Sequence, residues 1–281
     1  MLGWLKDRFR RGPVVPVVRL SGVIASASGL LGSRALSIES VAPLLKRAFD
    51  MKGAKAVALT INSPGGSPVQ SALIGQRIRL LAKEKDLKVI AFVEDVAASG
   101  GYWLACAADE IIVDPSSIVG SIGVISAGFG FQDLIARIGV ERRMHTSGER
   151  KSMLDPFRPE KPEDVDRLHR LQAEIHDGFK DWVRDRRAGK LKADEASLFS
   201  GEFWTGKRGL ELGLVDGIGD LRATLQARYG AKVHLPVIGP RRRLLSRFGL
   251  GTSVGGTGID GIGPATLAAI EERLHWQRFG L

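Results

Sequence analysis

Residues 93–110 read VEDVAASGGYWLACAADE. The apolar run before and into them, KVIAFV at 88–93, predicts a strand that ends in a short acidic turn at Glu94 and Asp95. Small residues follow, Ala97-Ala98-Ser99-Gly100-Gly101, and then an apolar helix over 102–108. A serine at a strand-to-helix turn exposes its Oγ above a helix N-terminus, and small neighbours let a substrate backbone approach closely. This follows the logic of a nucleophile elbow without its G-x-S-x-G pattern. The plainer alternative is that Ser99 caps the helix.

Working outward, residues 54–61 (AKAVALTI) form a continuous apolar run of strand length, the kind buried on both faces of a parallel sheet. NSPGGS at 62–67 breaks it, and a helix over 69–85 follows. An earlier strand at 14–20 and an amphipathic helix at 37–51, with Val41, Leu44, Leu45 and Ala48 on one face, precede it. A short strand at 110–113 comes after. The βαβαβα rhythm predicts right-handed crossovers and a mostly parallel sheet. Two glycine turns after successive parallel strands open on the same sheet edge, where α/β proteins bind ligands. Gly65 and Gly66 can offer bare N–H groups there.

Further along, residues 116–126 are again rich in small residues and glycine. The pattern predicts a helix at 131–138, a strand at 142–146 and a polar loop at 148–162 holding Pro156, Pro159 and Pro162. A long charged helix over 163–187 follows. Val165, Leu168, Leu171, Ile175 and Phe179 share one of its faces, and its length suggests an arm protruding from the core. A helix at 221–229 and a strand at 232–237 close the core region. Residues 249–263 contain seven glycines and read as a flexible linker before a last helix at 264–276.

The whole chain has 281 residues, 44% of them apolar and 26% charged, as in ordinary soluble domains. One cysteine, Cys106, excludes an intrachain disulfide and gives no metal-site pattern. The net charge of +10 gathers near the ends, at Lys6, Arg8, Arg10, Arg11 and Arg19 and again at Arg241, Arg242, Arg243 and Arg247. That asymmetry suits an anionic membrane surface. Nothing in the chain looks like an RNA- or DNA-reading module, which argues against nucleic acid. No run approaches transmembrane length, and the N-terminus lacks the apolar core of a signal peptide. Residues 1–11, MLGWLKDRFRR, set Leu2, Trp4, Leu5 and Phe9 among basic residues, as a short interfacial helix would.

A serine nucleophile needs a base. Of five histidines, His169 and His176 read as surface residues of the charged helix, His234 belongs to a late strand and His275 to the tail. His145 is better placed but has no evident acidic partner. The alternative is a lysine, which must lose its proton in a desolvated site or beside other cations. Lys151 lies next to Arg150 in the loop after residue 148. Local chemistry does not single it out from the other lysines.

An ordered set of motifs adds to this. INSPGGS at 61–67, ASGGY at 98–102 and GSIGV at 120–124 resemble successive motifs of the signal peptide peptidase A (SppA and SohB) serine peptidases. GERK at 148–151 with Pro156-Phe157, and FWTG at 203–206 with LGLVD at 212–216, resemble that family's later segments. The resemblance spans about residues 14–237. It implies a crotonase-like, ClpP-type α/β fold with a repeated ββα/βαβ core, and a Ser-Lys dyad. Ser99 would be the nucleophile, Lys151 the general base, and Ser121 the group that orients the lysine. The backbone N–H of Gly66 and of Gly100 would form the oxyanion hole. No cofactor or metal is implied.

The same resemblance implies membrane-associated homo-oligomeric rings, with sites assembled across neighbouring subunits, acting on leftover signal peptides and other membrane-derived or unfolded segments. This sequence shows no N-terminal anchor. The expected location is therefore bacterial-type, cytoplasmic or peripheral at the inner membrane. The expected organisation is a basic segment at 1–12, the peptidase domain at 13–238, and a linker with a helix at 239–281. Two other classes compete. One is an acyl-CoA hydratase or isomerase on the same scaffold, which would need a carboxylate base, Glu94 and Asp95 being the only acidic residues near the first turn. The other is a non-catalytic, membrane-bound ring scaffold.

Overall fold

Along the strand Ala56–Ser63, successive side chains feed two different cores. Val57, Leu59 and Ile61 enter a large cluster on one face of the sheet; Ala56 and Ala58 enter a smaller one on the other. This is why the run is continuously apolar rather than alternating. The structure, a computed structural model, describes residues 12–26, 35–239, 273, 274, 276, 277 and 279. The expected segment at 1–11, part of the loop after Gly22, and nearly all of the extension beyond 239 lie outside the described residues.

The first half contains β1 (Val17–Ser21), α1 (Ile38–Phe49), β2 (Ala56–Ser63), α2 (Pro68–Lys85), β3 (Lys88–Ala98), α3 (Gly100–Cys106), β4 (Glu110–Val113) and β5 (Ile118–Gly120). The second contains α4 (Gln132–Arg137), α5 (Pro162–Arg186), α6 (Glu195–Leu198), β6 (Phe203–Thr205), α7 (Gly206–Leu212), β7 (Gly217–Ile218), α8 (Leu221–Tyr229) and β8 (Val237–Ile238). The sheet order is β6-β5-β3-β2-β1-β8, with β4 beside β3 and β7 beside β4. Every pairing is parallel except β5 with β6. The large core lies under α1, α2 and α3; α8 covers the smaller one through Leu225.

Several expectations need correction. The strand predicted to end at Val93 continues to Ala98, so Glu94 and Asp95 are not a turn. Asn62 explains this. Its side-chain amide donates to Asp95 at 2.6 Å and its carbonyl accepts from Val96 N at 3.3 Å, bridging the register shift between β2 and β3. The long β3 then pairs with β4 through Ile90–Val93 and with β5 through Val96–Ala98, along one edge. No strand forms at 142–146. The segment is exposed and polar, and Arg142 instead pairs with Asp155 and lies over the Phe157 ring. The late strand shrinks to β8 plus a bridge from His234 to Val14.

The long helix α5 is anchored by its C-terminal half alone. Phe179 and Val183 are buried, Trp103 stacks on Phe179 at 4.8 Å, and Trp182 Nε1 donates to the Trp103 carbonyl. Leu171 and Ile175 are exposed and Val165 and Leu168 only half-buried, so the core does not enclose the stripe before Phe179. Within the extension, Trp276 and Phe279 pack on Val96, Ala98 and Ile118, and the Phe279 ring meets Phe203 edge-on at 5.1 Å. Among the described residues no helix is long and apolar enough to cross a membrane.

Candidate active site

Ser99 occupies the junction of β3 and α3 with φ 51° and ψ −121°. A non-glycine residue in this region costs about 1–3 kcal/mol and persists only where its surroundings enforce it. Here they do. Ser99 N donates to Gly120 O at 2.8 Å, extending the β3–β5 ladder, and Ser99 O accepts from Trp103 N at 3.0 Å. Behind the turn, buried Tyr102 donates its hydroxyl to Leu214 O at 2.7 Å and fixes α3 to the 213–216 segment. The Ser99 side chain makes no capping hydrogen bond, so capping does not explain the serine.

The glycine turn after β2 lies directly against this junction. A Cβ on Gly65, whose φ is +102°, would fall 2.8 Å from both Ser99 Cβ and Gly100 N. Only glycine fits so close an approach. Ser63 Oγ accepts from Gly65 N and donates to Gly22 O, which fixes the turn from below. Ile24 bonds Gly65 O and Ser67 N, a pairing that does not use the Gly66 N–H. Gly100 N lies in the first turn of α3, where a helix leaves its N–H groups without partners.

Two pockets meet at Ser99. One, a narrow recess of about 20 Å³, is lined by Gly66, Pro68, Ser99, Gly100, Trp103, Gly123, Val124, Ile175 and Phe179, with no charged side chain. The other, about 230 Å³, is lined by Ser99, Ser121, Gly123, Val124, Ile125, His176, Ser200 and Gly201. Ser121 is buried with φ 53°, and its N donates to Glu202 O at 2.7 Å. The structure thus brings together Ser99, Ser121, Gly66 and Gly100. Lys151 it does not: that residue is exposed in the turn at 148–154 and lines neither pocket.

His176, read from sequence as a surface residue, lines the second pocket and contacts Ile122 O at 3.0 Å. The signal was present, because His176 sits beside Ile175 and three residues before Phe179, on the edge of the apolar stripe. His145, the better-placed histidine from sequence, is exposed and outside both pockets. Glu94 pairs with Arg19 at 3.1 Å and Asp95 accepts from Asn62; neither lines the two pockets at Ser99. Cys106 lies one helix length behind Ser99, and burial pushes its thiol up to about 12, so it stays protonated and inert.

The pattern of peptidase family S49 matches residues 81–233. The Na(+)/H(+) antiporter NhaA of Brucella abortus is 54% identical over 278 residues, which is 95% of this chain and 37% of that protein. The chain therefore spans little more than a third of that relative. The putative protease slr0021 of Synechocystis is 32% identical over 272 residues, covering 94% of this chain and 91% of that one. Among solved structures, a variant of the 1510-N membrane-bound stomatin-specific protease superposes with a TM-score of 0.50 at 16% identity, over 82% of this chain and 99% of that one. At that identity the likeness speaks for the fold alone, a ClpP-like α/β architecture with a mostly parallel sheet. With more than half its length matched by the family pattern and a relative of nearly equal length aligned almost end to end, the chain belongs to peptidase family S49.

Proposed function

We propose that the chain is a serine endopeptidase working through a Ser-Lys dyad and an acyl-enzyme. The observation that carries this is Ser99 itself: a strained residue whose hydroxyl makes no capping bond, in a pocket that Gly66 and Gly100 also line. Lys151 in its neutral form takes the proton from Ser99 Oγ as the oxygen attacks the scissile carbonyl. The two N–H groups receive the tetrahedral oxyanion. The C–N bond then breaks, the lysine passes its proton to the leaving amine, and the acyl group stays on Ser99. Water, deprotonated by Lys151, attacks the ester and releases the acid. Ser121 orients the lysine.

Lys151 lies on a segment whose apolar side chains Ile125, Phe129, Leu134, Ile138 and Val140 are uncovered. An exposed cluster of this kind supports association with a second copy, which would carry its Lys151 to the Ser99 pocket. The uncharged pocket beside Ser99 favours an apolar side chain, as in signal peptides and membrane-derived segments. The basic chain ends suit peripheral contact with an anionic membrane. The acyl-CoA reading loses support because Glu94 and Asp95 are both engaged elsewhere.

Intact-mass analysis after fluorophosphonate treatment tests the proposal. A single adduct on the Ser99 peptide of the wild type, absent in Ser99→Ala and Lys151→Ala, is expected. An assembled wild type that takes no label overturns the peptidase reading. Labelling that survives in Lys151→Ala overturns the dyad.

A further inference from the structure

We infer that His176, on the outer helix α5, is a positioning residue that holds the Ser121–Val124 wall of the site against the nucleophile. The inference rests on Ser99 being the nucleophile and Ser121 the group that orients its base. A carbonyl oxygen can only accept, so His176 Nε2 carries the hydrogen and donates it to Ile122 O at 3.0 Å. Among the described residues it is the only donor to that carbonyl.

The wall needs such a tie. Ser121 has φ 53°, its N is held by Glu202 O, and Gly123 N turns back to bond Ser121 O at 3.0 Å. This tight turn follows β5 and belongs to no strand or helix, so no ladder fixes its outer carbonyl. Ile122 is fully buried, which anchors the side chain but not the peptide plane. Gly123 and Val124, the next two residues, line both pockets, so the tilt of the Ile122 peptide sets the gap between them. His176 is also the one titratable side chain lining either pocket. It is half-buried and lies between Ile175 and Phe179 in the sequence, which contribute to the apolar pocket from the same helix.

A tie of this sort acts on geometry in the transition state more than on substrate capture. The test is steady-state cleavage of an apolar peptide by the full-length assembly, with the rate of fluorophosphonate labelling read in parallel. Misplacement of a catalytic group by a fraction of an ångström to an ångström costs up to about a hundredfold. His176→Leu keeps the bulk and loses the donor; kcat should fall by about tenfold or more on that scale, with KM little changed. His176→Gln keeps an N–H at similar reach and should recover most of kcat. Should His176→Leu not fold, His176→Asn, too short to reach Ile122 O, carries the same expectation. Wild-type kcat in both donor-loss variants overturns the inference. So does a His176→Gln as inactive as His176→Leu, which would make the imidazole itself a proton carrier. A parallel Lys151→Ala separates the two levels: labelling retained there sinks the dyad, whatever His176 does.

Discussion

Around Ser99 nearly every neighbour is buried, whereas not one residue from 125 to 160 is. The first region is held by a β-ladder, a close glycine contact and a buried network; the second is a short helix and loops linked by exposed ion pairs such as Arg143–Glu141. One chain thus brings the proposed nucleophile and the candidate oxyanion donors to one pocket by itself. It leaves the proposed base on a surface that its own core does not organise. The contrast teaches that this chain's core organises the Ser99 side of the proposed site and leaves the Lys151 side to whatever the exposed segment packs against.

The largest effect should come from the network behind the nucleophile. Arg187, only 2% exposed, pairs with Asp216 at 2.6 Å and donates to Gly213 O; Asp216 also accepts from Lys190 and from Ile111 N. Asp216→Asn leaves a buried guanidinium without its counter-charge, a loss of about 3–5 kcal/mol. Urea denaturation measures it. Burial alone would raise the Asp216 carboxyl, but the hydrogen bonds from Arg187 and Lys190 outweigh it and hold it below the ordinary carboxylate value. The unfolded carboxyl therefore takes up its proton first as pH falls. The network's stabilisation is complete above the ordinary aspartate pKa and drains as pH drops through the lower folded value. Asp216→Asn should remove that part of the acid limb. Glu141→Gln on the exposed segment should shift stability by less than about 1 kcal/mol.

A matched pair of glycines sharpens the comparison at the next level down. Gly65 and Gly148 have nearly the same φ, +102° and +101°, but nothing lies within 4 Å of a Cβ placed on Gly148. Gly148→Ala should cost only the conformational term, roughly 1–2 kcal/mol. Gly65→Ala adds overlap with Ser99 and Gly100, about 1–3 kcal/mol more, because backbone and Cβ must move apart. Labelling of Ser99 should slow by up to about a hundredfold in Gly65→Ala and hold in Gly148→Ala. Equal losses in the two variants would break the contrast between the regions.

The buried region is also the one the sequence made readable. Continuous apolar runs at 54–61 and 88–93 and the glycine turns after them define β2, β3 and the Ser99 junction, because burial on both sheet faces leaves an unambiguous pattern. The end of β3 was not readable. Glu94 and Asp95 look like a turn, and only the distant Asn62 side chain lets the strand continue. The strand expected at 142–146 failed for the opposite reason: a short polar alternation has no neighbour to pair with there. His176 was misjudged because the charge of α5 masked an apolar edge. The 125–160 segment gave motif likeness but no physical pattern that locates Lys151, because none of its residues is buried in the core of the described chain.

The smallest effect on the single chain should be at Ile138, which is 64% exposed at the end of α4. Ile138→Ser removes no buried contact, so its folding stability should stay within about 0.5 kcal/mol of wild type. Its consequence should be collective. Sedimentation should show loss of assembly, and Ser99 labelling should fall with it, since the base would then have no copy to act upon. Mixing isolates this. Ser99→Ala and Lys151→Ala chains, each inactive, should regain labelling when co-assembled, because an intact serine and an intact lysine meet across the contact. Adding Ile138→Ser to both should abolish the recovery. If the mixed chains stay inactive while fully assembled, Lys151 acts within its own chain, and the exposed segment must fold onto the site rather than wait for a partner.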